Sequence, residues 1–196
     1  MRAFLFKHSA NAITFAGIIL AIWTSVMVWD YQNLFWVLVV ALLVALTDLA
    51  DGRLARKWGI VSQEGVFWDR VRDKLFMLPM LAFFLVDVWP EAGVIFAFLK
   101  GMIILILLTE VSLAVSMVVG LVKRFNISAH RAGKIKQVIY FVIVGLWLLM
   151  RLLEQESVLK PDLAVFLVLC ALSLAAAVYA LKSLDGYLKR FRSAGC

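Results

Sequence analysis

A chain of 196 residues that is 64% hydrophobic with a formal net charge of +7 excludes an ordinary soluble globule, because one core cannot enclose that much apolar surface. The composition predicts an all-α integral membrane protein, whose basic excess marks topology and attraction to anionic headgroups. No basic helix interleaved with aromatics points to nucleic acid, and Cys170, inside the last apolar run, is not expected to pair with the terminal Cys196.

Residues 1–10 hold Phe4, Leu5 and Phe6 between Arg2 and Lys7, a segment suited to a short amphipathic helix along the membrane interface. Six apolar runs follow, at residues 12–29, 34–46, 75–88, 92–122, 135–153 and 163–181, near the roughly 20 residues needed to span a bilayer. Asn11 is placed to cap the first helix. That run lacks a small-residue cleavage site, so it is expected to stay as a transmembrane helix and not be removed as a signal peptide. Trp29, Tyr31 and Trp36 around Asp30 form an aromatic belt at the outer interface, and Trp89 repeats it beside Pro90.

The second and third runs look short because a charged segment joins them, so those helices are expected to continue through Lys57 and to begin near Gly65. The segment runs Asp48, two residues, Asp51-Gly52, two residues, Ala55-Arg56, eight residues, Gly65, three residues, Asp69, three residues, Asp73. At spacings of three and four, each aspartate pair projects from one helix face about a turn apart. Four carboxylates brought together repel and take up protons unless a cation compensates them, and hard oxygen donors suit Mg2+ or Mn2+. One or two ions satisfy that requirement. Gly52 and Gly65 leave room for a ligand's phosphates or ribose, Ala55 keeps the same face shallow, and Arg56 is placed to meet a phosphate. Gly59 fits a helix C-cap in the turn between the pairs.

This pattern resembles the signature of the CDP-alcohol phosphotransferase family, membrane enzymes that make phospholipids from CDP-linked donors, and every fixed position is present in residues 48–73. The resemblance implies that Asp48, Asp51, Asp69 and Asp73 bind two divalent metals on the donor's pyrophosphate, and that Asp73 also serves as general base on the acceptor hydroxyl. It further implies nucleotide contacts from Asn11 and Thr14, which match an Asn-x-x-Thr element often preceded by proline. Ala10 stands in that place here. Ser62 is a donor-phosphate candidate on the same basis. Homodimers are common in the family, and a homodimer is implied.

Pro79 should kink the third helix. Lys100 and Glu110 lie deep in the fourth run, where a structural role is expected for both. In the loop 121–136, LVKRFNISAHRAGKIK, five cations gather beside His130, and the next helix is expected to begin near Gly133 with Lys134 in its first turn, where unpaired N–H groups attract anions. Arg131, Lys134 and Lys136 thus make a candidate pocket for a phosphorylated acceptor. Gly133-Lys134-Ile135-Lys136 resembles the Gly-Lys-x-Lys element of phosphatidylglycerophosphate synthases, although Gln137 replaces their usual threonine. Pro161 is expected at the start of the last helix.

Every Lys and Arg except Lys100, Arg151 and Lys160 falls on one side of a six-helix topology, whereas Asp30, Asp87, Glu91, Glu154, Glu156 and Asp162 fall on the other. The positive-inside rule then puts both termini and the aspartate motif in the cytoplasm, consistent with a bacterial inner membrane. With no internal repeat or low-complexity linker, residues 1–196 are expected to form one domain.

The expected reaction is metal-dependent transfer of a phosphatidyl group from CDP-diacylglycerol to glycerol 3-phosphate with release of CMP. Inositol phosphate, another polyol phosphate and phosphatidylglycerol are alternative acceptors. A small cation transporter is the competing class, but transporter sites lie near the midplane between broken helices or inverted repeats, and these acids cluster at helix ends.

Overall fold

The computed structural model describes residues 2–29, 34–58, 63–122, 131–158 and 162–194, with side chains described for 15–29, 34–47, 67–120, 132–158, 162–189 and 192. Among the described residues the regular elements are six helices: α1 (Arg2–Met27), α2 (Leu34–Trp58), α3 (Gln63–Val88), α4 (Val94–Val122), α5 (Arg131–Gln155) and α6 (Leu163–Ala194). Among the described residues three segments are long and apolar enough to cross a membrane, Val94–Gly120, Ala132–Gln155 and Leu163–Lys189. The apolar parts of α1 and α2 among the described residues, Phe15–Met27 and Leu34–Thr47, are shorter. The chain forms two compact units, Met1–Met80 and Leu81–Cys196.

In the first unit α1 packs on α2. Gly17, Ala21 and Thr24 are buried along α1, with Val28 just past its end, and Leu34, Val37, Ala41 and Val44 along α2, at the alternating spacing of three and four that makes one helical stripe. Phe15, Ile19, Trp23, Phe35, Trp36 and Leu42 face outward. Gly17, Ala21 and Ala41 within these stripes, with large apolar side chains outside, suit lipid, where close packing replaces the hydrophobic effect between helices.

Helix α1 begins at Arg2, so Asn11 lies in its interior and does not cap it, and residues 2–10 continue the same helix. The reason is Ala10: where a proline would stop the helix, the best helix former lets it run. Helices α2 and α3 extend into the charged segment as expected, to Trp58 and from Gln63. Pro79 sits inside α3, which leaves the carbonyl of Leu75 without its helical donor. The Ser25 hydroxyl on α1 reaches that carbonyl at 2.8 Å, having the Ala21 carbonyl at 2.7 Å as its alternative acceptor. A neighbouring hydroxyl is the usual means by which an apolar medium tolerates such a proline.

In the second unit α4 and α5 both pack on α6. The end of α3 joins them around Trp147 of α5, whose ring stacks on Phe84 at 4.9 Å and meets Phe83 edge-on at 5.3 Å. The indole N–H donates to buried Asp87 at 2.9 Å, and Arg151 donates to the same oxygen at 2.7 Å and to Glu154 at 2.6 Å. Lys100 closes the α3–α4 turn: its ammonium donates to the carbonyls of Trp89 and Glu91 at 2.7 and 2.6 Å and lies 5.6 Å from the Trp89 ring centre. That turn includes Gly93 at φ 118°, a conformation that favours glycine.

Helix α5 ends in a Schellman turn, with Val158 N–H bonded to the Leu153 carbonyl and Ser157 N–H to that of Glu154, and Ser157 takes the left-handed position at φ 56°. Asp162 caps α6 through the N–H of Ala164. Pro161, expected at that start, lies outside the described residues.

Candidate active site

Asp48 and Asp51 lie three positions apart in α2, and the helix continues unbroken through Gly52, Ala55 and Arg56 to Trp58. Gly65 falls in the first turn of α3, while Asn11 and Thr14 fall within α1. The side chains of Asn11, Thr14, Asp48, Asp51, Ala55 and Arg56 lie outside the described residues, as does Ser62 altogether.

Asp69 and Asp73 are described, one turn apart on α3, so their carboxylates leave the same helix face. Asp73 is half-buried. Asp69 is 48% exposed and accepts a charge-assisted bond of 2.5 Å from Nη2 of Arg72, which is itself 1% exposed. Trp68, beside Asp69, meets Phe15 of α1 with ring centres 5.7 Å apart.

At the second candidate cluster, Arg131 is the first residue of α5, with its side chain outside the described residues, and so is His130. The helix starts two residues before Gly133, which still leaves Lys134 in the first turn, exposed. Lys136 differs. It is buried, donates to the Glu110 carboxylate of α4, and has the ring of Tyr140 with its centre 5.5 Å away. The Tyr140 hydroxyl donates to the same Glu110 oxygen at 2.9 Å.

Glu110 and Tyr140 were not among the sequence candidates for a cation's partners, although helical phase marks both. Ile103, Ile106, Glu110, Leu113 and Met117 form the buried stripe of α4, and Lys136, Tyr140, Ile143 and Trp147 that of α5. Lys134 is out of phase with the second stripe.

A family model described as CDP-alcohol phosphatidyltransferase matches residues 7–182, from the first turns of α1 into α6. The chain belongs to the CDP-alcohol phosphatidyltransferase family. It is therefore a phosphotransferase that moves a phosphatidyl group from a CDP-alcohol to an alcohol, working within lipid as an integral membrane protein. Members of the CDP-alcohol phosphatidyltransferase family generally depend on a divalent metal.

The donor chemistry fits that requirement: Asp69 and Asp73 offer hard carboxylate oxygens a turn apart on α3. Among the described residues no three His, Cys, Asp or Glu side chains gather at one point. The remaining two carboxylates of the motif are those of Asp48 and Asp51.

Proposed function

We propose that the chain transfers the phosphatidyl group of CDP-diacylglycerol to glycerol 3-phosphate, giving phosphatidylglycerophosphate and CMP. The observation that carries this reading is the complete eight-position motif of residues 48–73, borne by α2 and α3 of a chain the family model spans, together with Gly133-Lys134-Ile135-Lys136 in the first turns of α5.

In this mechanism Asp48, Asp51, Asp69 and Asp73 hold Mg2+ or Mn2+, two ions in all. The ions supply positive charge against the donor's diphosphate. Asn11, Thr14, Gly52, Ala55, Arg56, Ser62 and Gly65 receive the CDP group, the small residues by leaving space and Arg56 by its charge. Asp73 accepts the proton of the acceptor hydroxyl as that oxygen attacks the phosphorus bearing diacylglycerol. The bond from that phosphorus to the bridging oxygen breaks, and CMP leaves with the electron pair. Position contributes more than basicity, since an anionic carboxylate is a modest base at neutral pH.

Arg131 and the exposed Lys134 engage the acceptor's phosphate in the first turn of α5, and Lys136 adds its charge from the buried position beside Glu110. The Lys and Arg pattern supports six transmembrane helices with both termini and the site on the cytoplasmic face of a bacterial inner membrane. One family model running through both compact units supports a single domain over residues 1–196, and family resemblance supports a homodimer.

The test is a panel of labelled acceptors incubated with CDP-diacylglycerol and Mg2+ or Mn2+: glycerol 3-phosphate, an inositol phosphate, another polyol phosphate and phosphatidylglycerol. Metal-dependent CMP release with glycerol 3-phosphate as the best acceptor is expected. Preference for an acceptor without a phosphomonoester would reject the proposed acceptor class, and metal-independent release would reject the role given to the aspartates. A cation transporter would release no CMP with any of them.

A further inference from the structure

Arg72 is the largest charged side chain buried among the described residues, at 1% exposure, and it stands between Asp69 and Asp73 in sequence. An isolated guanidinium is expensive to bury, so its surroundings must both make room for it and compensate its charge. Gly17 of α1 makes the room: a Cβ built there would lie 2.8 Å from Cδ of Arg72 and 3.1 Å from Nη1, closer than side-chain atoms pack. The same point lies 3.6 Å from Oγ1 of Thr47, the residue immediately before Asp48. Asp69 supplies the compensation through its 2.5 Å bond to Nη2.

The side chain is too enclosed to touch a substrate, and its bonded carboxylate is half exposed. Charge and space are arranged to hold Asp69, not to present Arg72. We propose that Arg72, seated in the slot left by Gly17, is a positioning residue that fixes the Asp69 carboxylate for a divalent cation, an inference that rests on the reading of Asp69 as a metal ligand. The contact with Asp69 runs through Nη2, a point where an ammonium can stand in for the guanidinium. Removing an outer hydrogen bond of this kind typically weakens metal affinity about 10–100-fold.

The test measures Mn2+ affinity of the purified, detergent-solubilised chain from the loss of the free-ion paramagnetic resonance signal, beside donor and acceptor KM and kcat. Arg72→Met and Gly17→Ala are each expected to weaken Mn2+ binding about tenfold or more. The double variant is expected to bind no worse than Arg72→Met, because the alanine acts only by displacing the arginine. Arg72→Lys, which keeps a cation for Asp69, is expected to stay within about threefold of the parent.

Additive losses in the double variant, or an Arg72→Lys loss as large as that of Arg72→Met, would show that the site responds to packing and not to the bond on Asp69. Either result overturns the proposal. Asp69→Asn separates the two levels of inference. If it leaves Mn2+ binding intact, the metal reading fails; if it abolishes binding while Arg72→Met and Gly17→Ala do not weaken it, only the positioning role fails. Should Gly17→Ala not fold, Arg72→Met against Arg72→Lys decides alone.

Discussion

Lys136 of α5 is bonded to Glu110 of α4 with both side chains buried, 7% and 2% exposed, so the pair joins two helices through a charge contact sealed from solvent. Tyr140, one turn along α5, donates to the same carboxylate and completes the cluster. Removing either charge leaves the other buried without its counter-ion, at a cost of about 3–5 kcal/mol. Glu110→Gln and Lys136→Met should each lower unfolding stability by that amount in detergent. The combined Glu110→Leu, Lys136→Met and Tyr140→Phe variant should lose less than either, because no charge or hydroxyl is then stranded. Additive losses in a denaturant titration would mean that the three groups do not act together.

The Ser25 hydroxyl should matter only because Pro79 frees the Leu75 carbonyl. Leaving that carbonyl without a donor costs about 1–3 kcal/mol, so Ser25→Ala should lower stability by that amount in the parent. In a Pro79→Ala background residue 79 regains an N–H for Leu75, and the same substitution should then cost under about 0.5 kcal/mol. Equal effects in both backgrounds would detach the hydroxyl from the proline.

Among the aspartates, Asp48→Asn, Asp51→Asn and Asp69→Asn should each reduce CMP release to near background, since on the proposed reading each replaces a charged metal ligand with a neutral one. Asp48→Asn and Asp51→Asn should leave the protein monodisperse, whereas Asp69→Asn also takes a carboxylate from buried Arg72 and should cost stability as well. Asp73→Asn should be as damaging to transfer but should retain more CDP-diacylglycerol binding, because its loss also removes the base, which acts after the donor is in place. If Asp73→Asn weakens donor binding as much as Asp48→Asn does, Asp73 has no separate role.

The extension of α2 and α3 into the charged segment was legible because two short apolar runs flanked a motif whose aspartate spacings of three and four suit one helix face. The start of α1 was not, since Asn11 has the chemistry of a cap and the deciding fact was the negative one that Ala10 does not break a helix. For Lys100 the sequence showed depth but not destination. Its acceptors are backbone carbonyls in the turn before its own helix, and a carbonyl carries no residue identity to read. Lys136 is the instructive case: its phase with Tyr140, Ile143 and Trp147 marked it as buried, yet its company of loop cations marked it as a surface charge, and the phase decided. Nothing in the sequence tied Arg72 to Gly17, because a missing side chain announces space without saying what fills it.

The contrast between Lys134 and Lys136 makes the acceptor pocket testable. Lys134 is exposed in the first turn of α5, where helix N–H groups without intrahelical partners favour an anion, whereas Lys136 is buried against Glu110 and acts only at a distance. Losing a charge-assisted contact to phosphate costs about 1.5–3 kcal/mol, so Lys134→Ala should raise the KM for glycerol 3-phosphate about tenfold or more and leave that for CDP-diacylglycerol within about twofold. Added salt should raise the acceptor KM of the parent more steeply than that of Lys134→Ala, because an exposed contact is screened and an absent one is not. Lys136→Ala should act mainly on stability, with a smaller rise in acceptor KM among the molecules that remain folded. If Lys134→Ala changes both KM values equally and by less than about twofold, the cation only contributes to topology, to which no single residue is decisive. The α5 pocket would then be lost, along with the main reason for assigning this chain a phosphorylated acceptor.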